Sequence, residues 1–416
     1  MNRFKQLLSS FGPAIIVAAV VLGPGSILTS SKVGAQYGYP AIGVILLAVV
    51  LLIGMVALAG RVGVIYDDSP CDQLAKRLGR WVAVVVGLIL FGLVAIFQSS
   101  NNMAIVAGVA PLFETEDFSL MDGPAPAIIL ISFNVLVIFC LWWKRDLYRS
   151  LESLMKILIG LMVVAFLVNF VVVFSSPREY VPVKSDGAPD IVVLLGLMGT
   201  TFSVGGAFYQ AYLVKEKGWK LLDARRGLTD SIVSISVVGI LSIVILMTAT
   251  RVFYGRPEPV VLGNVGEVAV QLQPLFGEWA KVIFCLGIFA GAFSSFLVNA
   301  LIGGTVLADS FGKGSRLDGK WPLGLTTAAL VIGMVVALFS LRDKDSTVNL
   351  ITFAQALTVL GLPALAWALL YLGTRPELTG VRKVPGWIIK LGWVGFMVAL
   401  VLAVRLLLIV LDRLGL

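Results

Sequence analysis

Eleven stretches of this chain are each long and apolar enough to cross a bilayer, and little chain remains between them. They run roughly over 13–37, 40–66, 81–111, 126–143, 150–175, 190–214, 227–251, 276–308, 321–341, 348–372 and 386–411. Composition agrees: of 416 residues, 58% are hydrophobic and 13% charged, where a soluble domain has about 25% charged residues. The sequence therefore predicts an all-α, eleven-span membrane protein built as a single membrane domain. Soluble, disordered, disulfide-scaffold and nucleic-acid-binding classes are excluded. With no histidine and three cysteines (Cys71, Cys140, Cys285) at no metal-ligand spacing, no imidazole base or histidine proton relay is available. No nucleophile–base pair is visible, so the chain does not read as an enzyme, and no cofactor is expected.

Most of the 32 Lys and Arg fall in alternate connections, including Arg61, Lys76, Arg77, Arg80, Lys215, Lys217 and Lys220. The loop after span 3 carries Glu114, Glu116, Asp117 and Asp122 and no base. The positive-inside rule then puts the N-terminus in the cytoplasm of an inner-membrane, multi-pass protein, with the C-terminus outside. The net charge of +8 is a topology signal. Between spans 2 and 3, Ser69-Pro70 is a helix start, with Ser69 as cap and Pro70 at the first position, and predicts a short surface helix.

Span 1 is interrupted at Gly23-Pro24-Gly25-Ser26, and span 6 by the paired glycines Gly205-Gly206 near its middle. Proline removes a backbone donor and glycine loosens the turn. Interruptions at corresponding places five spans apart point to an inverted-repeat secondary transporter, 13–175 and 190–372, with 386–411 appended. Opened backbone is tolerated at membrane depth where it lines a cavity. Two packing kinks would leave the same pattern.

Side chains near the breaks form candidate contacts. Ser26, Thr29 and Ser30 share a face of span 1, and Ser203, Gly205, Tyr209 and Gln210 could face them. Gln98, Asn101 and Asn102 put three amides on one face of span 3, either lining a pathway or tying helices together. Lys32 reads as a snorkelling lysine near the outer end of span 1. Asp230 reads as interfacial, because a charge at mid-membrane is costly. The small residues Gly287 to Ser295 read as close-packing positions, with Asn299 one turn on as a weaker pathway candidate.

The run Gly12-Pro13-Ala14, Gly23-Pro24-Gly25-Ser26 and Gly34-Ala35-Gln36-Tyr37-Gly38-Tyr39 resembles span 1 of the NRAMP family. Leu194 to Gly199, Ala290-Gly291 with Ser294-Ser295, and Ala354-Gln355 with Leu362-Pro363 resemble its spans 6, 8 and 10. The resemblance implies the leucine-transporter fold, and a proton-coupled carrier of divalent transition metals. The departures bear on that chemistry. The family's span 1 Asp and Asn fall on Gly23 and Ser26, and its span 6 Met-Pro-His on Ser203-Val204-Gly205. Its second span 6 histidine falls on Gln210, and the span 3 acids tied to proton transfer fall on Gln98 and Asn101. Of the ligands that can be placed, only the span 10 glutamine is kept, as Gln355.

By resemblance, Gly23 (through its carbonyl), Ser26, Thr200, Ser203 and Gln355 would contact the substrate. Without a carboxylate, dehydrated manganese or iron would bind poorly, and a cation keeping its water shell is the easier cargo. Proton coupling by the family's route is not expected, since amides do not titrate. Two rivals remain open: a bicarbonate-like or carboxylate-like anion or neutral solute held at half-helix N-termini, and a non-transporting sensor or scaffold. The partners expected are a small ion or solute and the bilayer; oligomeric state is left open.

Overall fold

The computed structural model describes residues 12–113, 123–143, 146–177, 180–182, 191–256, 262, 265–341 and 344–414; side chains of 111, 265–281, 344–358, 410 and 412–414 are outside that description. The acidic loop residues Glu114, Glu116, Asp117 and Asp122 also lie outside the described residues. All regular structure described is helical. In chain order the helices are α1 (Ala14–Val21), α2 (Pro24–Tyr37), α3 (Ile42–Ile65), α4 (Pro70–Leu78), α5 (Arg80–Val109), α6 (Ala125–Trp143) and α7 (Leu147–Ser175). They continue as α8 (Ile191–Thr201), α9 (Val204–Glu216), α10 (Ala224–Phe253), α11 (Val265–Ser310), α12 (Lys320–Ser340), α13 (Lys344–Gly373) and α14 (Gly386–Leu414). Among the described residues, nine stretches are long and apolar enough to cross a membrane, with α8 and α9 as one of them, or ten when the bent pair α1 and α2 is taken as one span; of the eleven expected, span 10 falls in α13, whose described apolar stretch is the shorter Val359–Gly373.

Burial separates central from peripheral helices. All eight residues of α1 are buried, as expected of a helix that is apolar all round. In α6, Leu130, Asn134, Val137 and Leu141 face inward, while Ile128, Ile131, Val135, Leu136 and Phe139 are exposed. An apolar outer surface of this kind suits a protein whose surrounding solvent is lipid. Close approach is bought with small residues: a Cβ on Gly304 would lie 2.4 Å from the Thr326 nitrogen and 2.7 Å from the Pro322 oxygen, so α11 and α12 meet backbone to backbone. Likewise a Cβ on Gly291 would lie 2.9 Å from the Leu22 oxygen, and Ser294 Oγ donates to the Ala19 oxygen at 3.0 Å. This agrees with the close-packing reading of that stretch.

Span 1 breaks where Pro24 predicts, with a 51° bend between α1 and α2. Gly23 is extended (φ −81°, ψ 179°). Span 6 breaks earlier than the glycine pair suggests. Its interruption is at Phe202-Ser203, and Gly205 and Gly206 sit in the first turn of α9. The physical reason is capping: Ser203 is a good N-cap residue, and its Oγ accepts from the Gly206 N–H at 3.4 Å.

The basic connections gather at one end of the bundle. Arg77 pairs with Glu377, Lys215 donates to the Tyr66 and Asp67 carbonyls, and Lys217 bridges to Glu152 at 2.6 Å. Asp230 belongs to the same end and is fully buried within the protein there. It accepts from the Gly12 N–H at 2.7 Å and the Ala14 N–H at 2.9 Å. A helix N-terminus presents unpaired donors and partial positive charge, so α1 supplies what the buried carboxylate needs.

The helix predicted from Ser69-Pro70 is α4, yet Ser69 makes no side-chain cap. Its hydroxyl turns to Asp309 on α11, and that carboxylate accepts from the Cys71 N–H at 3.1 Å in its place. The helix is also less superficial than predicted, with Pro70, Cys71, Gln73 and Leu74 buried. Burial pushes the Cys71 thiol well above its ordinary value, which suppresses the reactive thiolate. Cys71 is therefore expected to resist a maleimide in the folded protein and to react on denaturation, read by mass spectrometry. Rapid labelling before unfolding would contradict this placement.

Candidate functional site

The two breaks meet at one cavity of about 70 Å³, the volume that about two waters fill in the liquid. Its polar lining is Ser26, Thr200, Ser203 and Asn299, with backbone at Gly23, Gly199, Gly205 and Gly206. Its apolar wall comes from Val20, Leu90, Leu93, Val94, Phe97, Ile302, Leu362 and Leu365. No charged side chain borders it among the described residues.

Local backbone explains the oxygen supply. In span 6, the Phe202 N–H bonds the Met198 oxygen at 2.7 Å, and the Val204 N–H turns back to Phe202 at 3.0 Å. Helix α9 then starts with Ala207 on the Ser203 oxygen at 3.0 Å. The carbonyls at the end of α8 are thus not taken up by the following turn. In span 1, the Gly23 oxygen accepts the Ile27 N–H at 3.2 Å, opening α2. The N–H groups of Gly25 and Ser26 occupy the first turn of α2 beside the cavity.

The sequence candidates divide. Gly23, Ser26, Thr200, Ser203 and Gly205 border the cavity. Several of their hydroxyls are committed locally: Ser26 donates to the Val21 oxygen, and Thr200 to Gly196 at 2.9 Å. Thr29 does not border the cavity; it donates to Gly25 at 2.8 Å and meets the Thr200 hydroxyl at 3.2 Å, tying α2 to α8. Ser30 is fully buried with an unpartnered hydroxyl, away from the cavity. Lys32 is half-buried and also off the cavity. The Gln355 side chain lies outside the described residues.

The span 3 amides form an interhelical network. Gln98 donates to the Phe296 oxygen at 2.8 Å, and Asn101 to Gln98 Oε1 at 2.6 Å. Asn102 donates to the Gln98 carbonyl at 2.8 Å and accepts from Asn134 at 2.6 Å. Helix α5 shows the cavity its apolar face, and the amides turn toward α6 and α11. Tyr209 and Gln210 are fully buried on α9. Tyr209 stands 3.5 Å from the Thr305 hydroxyl, and both amide atoms of Gln210 are unpartnered.

In the sequence Asn299 stands out only weakly, and the apolar wall not at all, yet both line the cavity. The spacing of Asn299 one turn from Ser295 is the signal that could have raised it. Nothing in the sequence marks Leu90 or Leu365, because apolar residues in a membrane helix are everywhere.

Among the described residues, no group of three or more His, Cys, Asp or Glu is placed to hold a metal ion. What the cavity offers is four neutral polar side chains and the backbone at two helix breaks, set in a mostly apolar lining.

Comparison with known proteins follows the same lines. The family described as "Natural resistance-associated macrophage protein-like" matches residues 14–409. A divalent metal cation transporter, MntH, of Xanthomonas campestris pv. campestris is 24% identical over 97% of this chain and 90% of its own length. A natural resistance-associated macrophage protein 2 homolog of Dictyostelium discoideum is 24% identical over 91% of this chain and 60% of its own. Among solved structures, the Eremococcus coleocola manganese transporter superposes with a TM-score of 0.71 at 19% identity, covering 97% of this chain and 87% of the other. With broken spans 1 and 6, this helical membrane fold and a profile match over nearly its whole length, the chain belongs to the Nramp family.

Proposed function

We propose that the chain is a secondary transporter that carries a divalent metal cation with much of its water shell, through the cavity at the two breaks. The observation that carries this reading is the cavity's lining, which has neutral polar side chains and the backbone of both breaks but no charged side chain among the described residues. The family and the MntH relatives supply the cargo class. A cation stripped of water needs carboxylates or several strong oxygens, and this lining suits one that keeps its waters.

Spans 1–5 and 6–10 act as inverted repeats that rock about the breaks in alternating access, with α14 appended. The basic end of the bundle faces the cytoplasm of an inner membrane. Described lining side chains carry no titratable group, so transport is uncoupled from protons at this site.

The test is flux into proteoliposomes with entrapped metal-sensitive dyes, manganese and magnesium separately, with and without a pH gradient. The expected result is saturable entry of at least one metal, unchanged by the gradient. No entry of either into vesicles holding folded protein overturns the reading. A small-anion reading is favoured by the first turn of α2 at the cavity, and competition by bicarbonate or acetate in the same vesicles would move the assignment there.

A further inference from the structure

We propose that Asn299, held by Ser295, is the side chain that selects the cargo, so that α11 supplies a third polar arm beside the two broken spans. The inference rests on the transport reading above and names the residue that reads the charge of what enters. Asn299 is 8% exposed and borders the cavity. Its Nδ2 donates to Ser295 Oγ, one turn earlier, at 2.9 Å. That bond fixes the amide and leaves Oδ1 as its free polar end.

The other polar side chains at the cavity are committed elsewhere. The Ser26 and Thr200 hydroxyls donate back to their own span, and Ser203 Oγ caps α9. Gly23 has no side chain and no room for one: a Cβ there would sit 2.6 Å from Ser295 Oγ and 2.7 Å from Ser295 Cβ. The Ser295–Asn299 pair therefore closes the break on the α11 side and presents an amide oxygen to the cavity. A neutral oxygen attracts a hydrated cation through dipole and hydrogen bonds to its waters, and does so weakly. A carboxylate of the same shape would bind the cation directly.

Asn299→Asp is nearly isosteric and puts a carboxylate where the amide now stands. Asn299→Leu keeps the volume and removes the polar end. The experiment measures manganese binding by isothermal titration, and flux in proteoliposomes, for the wild type and both variants, each checked for folding by size exclusion. The expected result is at least a tenfold gain in manganese affinity for Asn299→Asp, and at least a tenfold loss of flux for Asn299→Leu.

Folded variants that bind and carry manganese as the wild type does would overturn the role of Asn299 and leave the transport reading standing. A wild type without flux, together with manganese binding gained in Asn299→Asp, would uphold Asn299 at the cargo position and sink the cation reading. No binding by folded Asn299→Asp overturns the inference. Should Asn299→Leu fail to fold, the Asn299→Asp arm alone decides.

Discussion

Gly23→Asp is expected to lower the melting midpoint sharply and to abolish flux, and combining it with Ser295→Gly is expected to restore the fold and create manganese binding. The new Cβ would overlap Ser295, 2.6 Å from its Oγ and 2.7 Å from its Cβ, and lie 3.3 Å from the Val20 oxygen. A hydroxyl can rotate away, but a Cβ moves only with its backbone. Helix α11 is not free to move here. Ser294 bonds the Ala19 oxygen, and Gly291 lies against Leu22.

Overpacking of this kind costs about 1–3 kcal/mol, and a carboxylate near mid-membrane adds about 2.5–3.5 kcal/mol. The sum is a large share of a domain's net stability. Ser295→Gly removes both clashing atoms at about 1 kcal/mol of helix propensity. The carboxylate then faces the cavity with room for a divalent ion, and bound metal stabilises by mass action. The check is thermal unfolding in detergent, with and without manganese. An unchanged midpoint for Gly23→Asp alone would show that α1 and α11 are not packed this closely.

Much of the fold was legible because the signals were strong and local. Some twenty apolar residues in a row leave few alternatives, and Pro24 can hardly sit inside an unbroken helix. The break in span 6 falls before the glycine pair, because the decisive residue is the cap, Ser203. Residues bordering the cavity were legible where a break itself forced them there, as for Gly23, Ser26 and Ser203. Thr29 and Ser30 share a helix face with Ser26 in an ideal helix, yet they do not border the cavity. Periodicity gives a face, and the neighbouring helix decides whether that face is open or closed. Asp230 and Asp309 show the same limit. Each is a buried carboxylate that accepts from donors far away in sequence, among them backbone N–H groups at the start of another helix, and cost arguments about isolated charges cannot find those partners.

The last expected result concerns Asp309. Asp309→Ala is expected to destabilise the protein by about 3–5 kcal/mol, since each buried donor left without its acceptor costs about 1–3 kcal/mol. Three donors converge on this fully buried carboxylate. They are the Ser69 hydroxyl, the Cys71 N–H at 3.1 Å and the Tyr212 hydroxyl at 2.7 Å. The Asp309 carbonyl also accepts from Arg80 at 3.3 Å. One side chain thereby joins α11 to the start of α4 and to α9, the half-helix beyond the span 6 break.

Asp309→Asn keeps one acceptor oxygen and turns an NH2 toward a donor, so an intermediate loss is expected. Tyr212→Phe removes a single bond and is expected to cost about 1 kcal/mol. Tyr212→Phe placed on Asp309→Ala should cost little more, because the acceptor is already gone. Denaturant or thermal unfolding of the wild type and the four variants gives the stabilities, and the same preparations in proteoliposomes give flux. If α9 moves during transport, freeing it from α11 and α4 changes flux even in Tyr212→Phe, whose stability loss is small. An Asp309→Ala protein that melts with the wild type would show that these donors find other acceptors, and that α9 is held by packing alone.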